Sequence, residues 1–126
     1  MSEVITDKLT GRATANDVTI TVGASATMSL EQGIAKCWID LVGTGTISIE
    51  NSLNISSITD NGTGDYRQTH TNNFSNNDTA FVPASNAYHV RAYDNQVNYS
   101  DIRTYGSTAV AGDYSRVHST THGDLA

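Results

Sequence analysis

Apolar residues in this chain recur at every second position in short runs, and turn-forming residues break each run after about ten residues. No stretch sustains the three-to-four-residue spacing of a long helix. Such a pattern packs sheets against one another, so the expectation is an all-β fold, an antiparallel β-sandwich or a jelly roll. "DVTITV" sets Val18, Ile20 and Val22 on one face and Thr19 and Thr21 on the other. "CWIDLV" sets Cys37, Ile39 and Leu41 on one face with Trp38 and Val42 on the reverse, which predicts a strand between layers. The helical alternative over "SLEQGIAKCWIDL" is interrupted by Gly33. "TISIENSLNISSI" keeps Ile47, Ile49, Leu53 and Ile55 in one register, and Ile58 breaks parity after Ser56–Ser57, predicting a bulge there. "TDNGTGDY" reads as a hairpin turn, because Asn61–Gly62 tolerates the positive φ of a type I′ turn and Gly64 adds a further permissive position. "TAFVPA", "AYHVRAY", "SDIRTY" and "YSRVHSTT" complete the set of strands, with Pro83, the one proline, expected at an edge or bulge.

The 126 residues suffice for one compact domain with a modest core. Residues 1–33 hold the single clean strand "DVTITV" among small and polar residues, with Gly11, Gly23 and Gly33 as hinge points. They read as an N-terminal β-strand arm for attachment, and residues 34–126 as the β-sandwich domain. Hydrophobic residues make up only 37% of the chain. A small, polar core is marginal alone, so self-association is expected, with a homotrimer as the assembly.

The net charge of −6, without any Lys/Arg cluster, argues against a nucleic-acid partner and against an anionic membrane surface. No run approaches the roughly 20 apolar residues of a membrane span. Cys37 is the only cysteine, which excludes an intrachain disulfide and fits synthesis in a reducing cytoplasm. "MSEVITDK" lacks the basic start and apolar stretch of a secretion signal. The Asn-x-Ser/Thr sequons at Asn54, Asn61, Asn73, Asn77 and Asn98 follow from an Asn-, Ser- and Thr-rich composition.

No motif carries chemistry. After Asp60 the alternate positions are glycines without ligand atoms, unlike a calcium loop. Asp60 and Asp65 flank a turn, where solvent keeps both ionised, unlike the paired carboxylates of a glycosidase. "GTGTIS" and "GTGDY" lack the Gly-Lys-Ser/Thr ending of a phosphate loop. Cys37 beside Trp38 reads as a buried, inert thiol. His118 and His122 fall on a strand, where four residues span about 13 Å, too far for both to hold one ion. In a trimer, one histidine per chain meeting on the axis is the remaining route to a metal. His70 and His89 read as polar-face residues. The expectation is a protein that is no enzyme, with no catalytic, cofactor-binding or metal residues. The exposed aromatics Tyr88, Tyr93, Tyr99 and Tyr105 offer the alternative of a receptor-recognition module for host-surface glycans.

The segment "GIAKCWIDLVGTGTISIENSLNISSITDNGTGDY", residues 33–66, resembles a segment of virion structural and tail-fibre-like proteins of marine tailed bacteriophages. Ala35, Lys36, Trp38, the Gly43–Thr46 turn and Ile58–Tyr66 carry the likeness. "KLTGRATANDVTITV" is similar to that family's opening, and "HGDLA" to its ending. From Arg67 onward the likeness weakens: the family continues with an alternating Thr-Val-Asn-Phe strand, where this chain has "RQTHTNNFSNND". The resemblance implies a non-enzymatic structural protein localised to the virion. It would sit on the particle surface as a short tail-fibre-like appendage or a head or tail decoration, self-associating and contacting other virion proteins.

Overall fold

The computed structural model describes Thr6, residues 18–22 and residues 26–126. The chain divides into two compact units, Met1–Ile34 and Ala35–Ala126. Gly11 and Gly23, read above as hinges, lie outside the described residues.

In the first unit β1 (Thr19–Val22) and β2 (Ala26–Ser29) form an antiparallel two-stranded sheet, followed by one helical turn, α1 (Leu30–Gly33). This unit therefore holds a second strand and a turn of helix besides Thr19–Val22. Ile20 and Met28 stand directly opposite each other across the pair, and both are exposed.

The second unit is an antiparallel β-sandwich. Its strands are β3 (Cys37–Val42), β4 (Ser48–Leu53), β5 (Ile55–Gly62), β6 (Asp65–His70), β7 (Ala80–Ser85), β8 (His89–Asn95), β9 (Tyr99–Tyr105) and β10 (Val117–His122). Sheet I runs β4-β3-β10-β7 and sheet II runs β5-β6-β9-β8. Successive strands β3–β4, β5–β6 and β8–β9 pair as neighbours within one sheet, and the other connections cross from one sheet to the other.

Alternation decides what goes inside. Ile39 and Leu41 of β3 and Val117 of β10 meet Tyr66 of β6 and Ile102 of β9 in one buried cluster, with Ile49, Ile55, Ile58 and Val90 packed around it. Cys37 is also fully buried. Apart from Phe74, the rest of the interior is polar: Gln68, His70, Ser100, Thr104, Ser119 and Thr121 are buried too. Burying such groups is tolerable when they find partners, and Ser119 Oγ donates across the two sheets to Gln68 Oε1 at 2.7 Å.

Local details refine the sequence reading. "SIENSLNISSITDNG" is two strands, not one, because Asn54 takes a left-handed φ of 59° and turns the chain from sheet I into sheet II. Its side-chain oxygen accepts the Asn72 backbone N–H at 2.7 Å, which fixes the corner. A register shift between Ile55 and Ser57 supplies the bulge expected at Ser56–Ser57. The Asn-Gly hairpin forms, but not as type I′. Asn61 is bulged between Asp60 and Gly62, the positive φ values fall on Gly62 (131°) and Gly64 (65°), and Asp60 Oδ1 accepts the Gly62 N–H at 2.9 Å. Trp38 and Val42 turn to the outer side of sheet I and are half-buried there. Pro83 lies in β7, an edge strand.

Candidate functional site

The outer face of sheet II carries the densest side-chain chemistry among the described residues. On β6 the inward positions are Tyr66, Gln68 and His70, so Asp65, Arg67 and Thr69 point outward. On β9 the outward positions are Tyr99, Asp101, Arg103 and Tyr105. The strands run antiparallel, and the register sets Asp65 opposite Arg103 and Arg67 opposite Asp101. Two "Asp-x-Arg" stretches, "DYR" and "DIR", are thus self-complementary. Arg67 holds Asp101 with two bonds of 2.8 Å, a fork that matches the carboxylate plane. Those bonds, ahead of all other effects, raise the Arg67 pKa. Arg103 donates from Nε (2.9 Å) and Nη2 (2.7 Å) to Asp65 Oδ2.

Tyrosines interleave with this lattice. The Arg67 guanidinium lies 3.7 Å from the Tyr99 ring centre, and that of Arg103 3.2 Å from Tyr93. Tyr99 donates its hydroxyl to Asp94 Oδ2 at 2.9 Å, and Gln96 Nε2 donates to Asp94 Oδ1 at 2.9 Å. Gln96 and then Tyr99 hold the Asp94 carboxyl below its ordinary pKa.

The end of this face is concave. Tyr88, His89, Val90 and Arg91 line a groove of about 500 Å³ with Tyr105 of β9 and Ala109 of the following loop. Ala109 takes a left-handed φ of 58°, held by its N–H to Gly106 O at 3.0 Å and by Gly106 N–H to Val110 O at 2.8 Å. Alanine in that region is strained. Tyr88 is 74% exposed, and the Arg91 guanidinium stands 6.0 Å from the Tyr105 ring centre.

The structure thus gathers Tyr93, Tyr99 and Tyr105 on one face, with Tyr88 at its end. The alternation of "SDIRTY" foreshadows this arrangement. Of the charged residues between the tyrosines, the sequence reading singles out only Asp65, and only as a residue beside a turn, although Asp-x-Arg repeats at 65–67 and 101–103.

The remaining sequence candidates fall elsewhere. Burial pushes the Cys37 thiol up to about 12. His118 and His122 share the outer face of β10 at strand spacing, and His118 Nδ1 lies 3.1 Å from Asp40 Oδ1. His89 is exposed. His70 corrects the expectation of a polar-face residue: it is buried, packed edge-on against Phe74, with Nδ1 3.2 Å from Val97 O and Nε2 3.3 Å from Ser100 Oγ. Ser100 Oγ in turn donates to Asn95 Oδ1 at 2.7 Å. This serine–histidine contact is sealed from any substrate, since Ser100 has no exposed surface. Asp65 is half-buried in its ion pair, not open beside the turn; Asp60 is exposed. No group of three or more metal-ligating side chains occurs among the described residues.

No protein-family model, curated protein or solved structure matches the chain.

Proposed function

We propose that the chain is a non-enzymatic structural protein of a tailed-bacteriophage virion. It is made in the host cytoplasm and carried on the particle as a short tail-fibre-like appendage or a head or tail decoration. The observation that supports this reading is the division of labour between its units. The β1–β2 pair leaves Ile20 and Met28 opposite each other and exposed, an apolar pair that suits docking on a neighbouring virion protein. The sandwich begins in the segment that resembles phage structural proteins, which runs from β3 into β6.

Self-association as a homotrimer belongs to the same proposal. On the outer face of sheet I the register aligns Leu53, Trp38, Thr120 and Val82 across all four strands, and Leu53 and Val82 are exposed. This stripe is the surface on offer to sister chains. Light scattering of the purified protein at micromolar concentration is expected to report three copies, and a monomer persisting at nanomolar concentration would refute the assembly. Attachment is tested in infected cells with full-length Ile20→Asp/Met28→Asp beside the unaltered chain. The variant is expected to fold yet be missing from purified virions; normal incorporation would overturn the docking role of the arm.

A second reading, a receptor-recognition module for host-surface glycans, is favoured by one observation. The four tyrosines expected to serve it gather on, or at the end of, a single sheet face.

A further inference from the structure

We infer that the groove bounded by Tyr88, His89, Arg91, Tyr105 and Ala109 binds an anionic sugar, with the ring on the tyrosines and its acidic group on Arg91. This deepens the receptor-recognition reading and rests on that face being presented outward. It does not depend on which part of a particle carries the chain.

Charge placement is the first observation. Across sheet II, one outward row reads Asp65, Arg103, Arg91, and the next reads Arg67, Asp101, Asp94. In each row the first two residues neutralise each other and the third is left over. The leftover acid, Asp94, is satisfied by Tyr99, Gln96 and the Asn95 N–H. The leftover base is not: among the described residues no carboxylate pairs with Arg91, and the residue directly opposite it is another arginine. Like charges facing each other across a ladder are destabilising. In a chain of net charge −6, leaving a cation unpaired there calls for a partner from outside.

Shape is the second. The unpaired guanidinium borders a concavity of about 500 Å³, inside the roughly 300–1,000 Å³ range of small-ligand sites. Two of its lining residues are tyrosines, Tyr88 and Tyr105, whose flat apolar faces and polar hydroxyls suit the C–H face and hydroxyl rim of a pyranose. The strained Ala109 closes one side. Arginine matches planar, two-oxygen anions in a fork, so a uronic carboxylate and a sugar sulfate are the two sources of the required chemistry.

The test is calorimetry of the full-length protein with three oligosaccharides of similar length: an oligogalacturonate, a sulfated oligogalactose and the neutral oligogalactose. At least one anionic arm is expected to bind about tenfold or more tighter than the neutral one, the scale of one charge-assisted interaction. The arm that binds identifies the acidic group. Arg91→Gln should abolish the preference, Arg91→Lys should retain part of it, and Tyr88→Ala should weaken both anionic arms. Arg91 and Tyr88 are exposed, so these variants should fold, as circular dichroism will verify. Equal binding of neutral and anionic sugars, or an anionic preference unchanged in Arg91→Gln, would move the site elsewhere while leaving glycan recognition standing. Absence of all binding at millimolar concentration would refute both the site and that reading. Loss of Arg91→Gln from purified virions would make the groove an assembly contact and overturn the inference.

Discussion

Replacing Gly64 by alanine separates two costs that usually arrive together. Gly45 and Gly64 have nearly the same backbone, φ 67° and 65°. A Cβ on Gly45 meets nothing within 4 Å. At Gly45 the cost is therefore conformational: about 1–2 kcal/mol for a left-handed alanine, partly offset by a stiffer unfolded chain worth about 0.4–1 kcal/mol. Gly45→Ala should lose about 1 kcal/mol. At Gly64 the same Cβ would lie 2.5 Å from Thr104 O, 2.8 Å from Gly112 O and 2.9 Å from Gly112 N. None of these can yield cheaply, because Gly112 N–H donates to Thr104 O and Thr104 N–H donates to Gly64 O. Pushing the hairpin away also breaks the 2.6 Å bond from Gly64 N–H to Asp113 Oδ1. Overpacking adds about 1–3 kcal/mol and the lost bond about 1–2 kcal/mol, so Gly64→Ala should lose about 3–6 kcal/mol. Urea denaturation followed by far-UV circular dichroism measures both variants. If the two losses agree within about 1 kcal/mol, the close packing of the hairpin turn against the 104–112 backbone is not what holds this end of the sandwich.

Tyr66→Phe keeps the buried ring but removes a hydroxyl placed 2.9 Å from Gly43 O and 3.0 Å from Asp113 Oδ1; urea midpoints should show a loss of about 1.5–3 kcal/mol, and no loss would mean that bond is idle. Burial lowers the His70 pKa in the folded chain, so the unfolded chain binds the proton more readily. The contribution is therefore present above about pH 6.5 and lost as the pH falls below it; denaturation at pH 7.5 and 5.5 should show the drop, and His70→Gln should reduce it. Trp38→Ala removes a half-buried ring, so it should cost about 2 kcal/mol instead of the 3–5 kcal/mol of a core aromatic; a full core cost in the same denaturation assay would show that the ring is covered.

Strands whose inward residues are apolar were legible in the sequence. "CWIDL" reads correctly as β3 because Cys37, Ile39 and Leu41 alternate, and the helical alternative survives only as the single turn Leu30–Gly33. β6 was not legible as a strand. Its inward residues are Tyr66, Gln68 and His70, and a polar residue turned inward cannot be told from one turned outward until its partner is known. The break at Asn54 was hidden for a related reason: apolar parity continues across it, while one left-handed residue moves the chain to the other sheet. The groove needed the fold outright, since it depends on Arg91, Tyr105 and Ala109 meeting from separate stretches. The tyrosines could be named in advance; the cation left over between two charge rows could not, because register alone reveals it.

The position of β10 has a consequence in time. Hairpins β3–β4, β5–β6 and β8–β9 close between neighbours and can form as soon as each is synthesised. Sheet I cannot, because β10 lies between β3 and β7 and six strands separate it from β3 in the chain. Until Val117–His122 has left the ribosome, β3 and β7 each keep an open edge, and the core residues of β3 lack their partner Val117. The growing domain therefore keeps sticky edges until β10 emerges. A ribosome that stalls before β10 releases no weakened version of this domain, but one whole sheet beside a split one with two templates for aggregation.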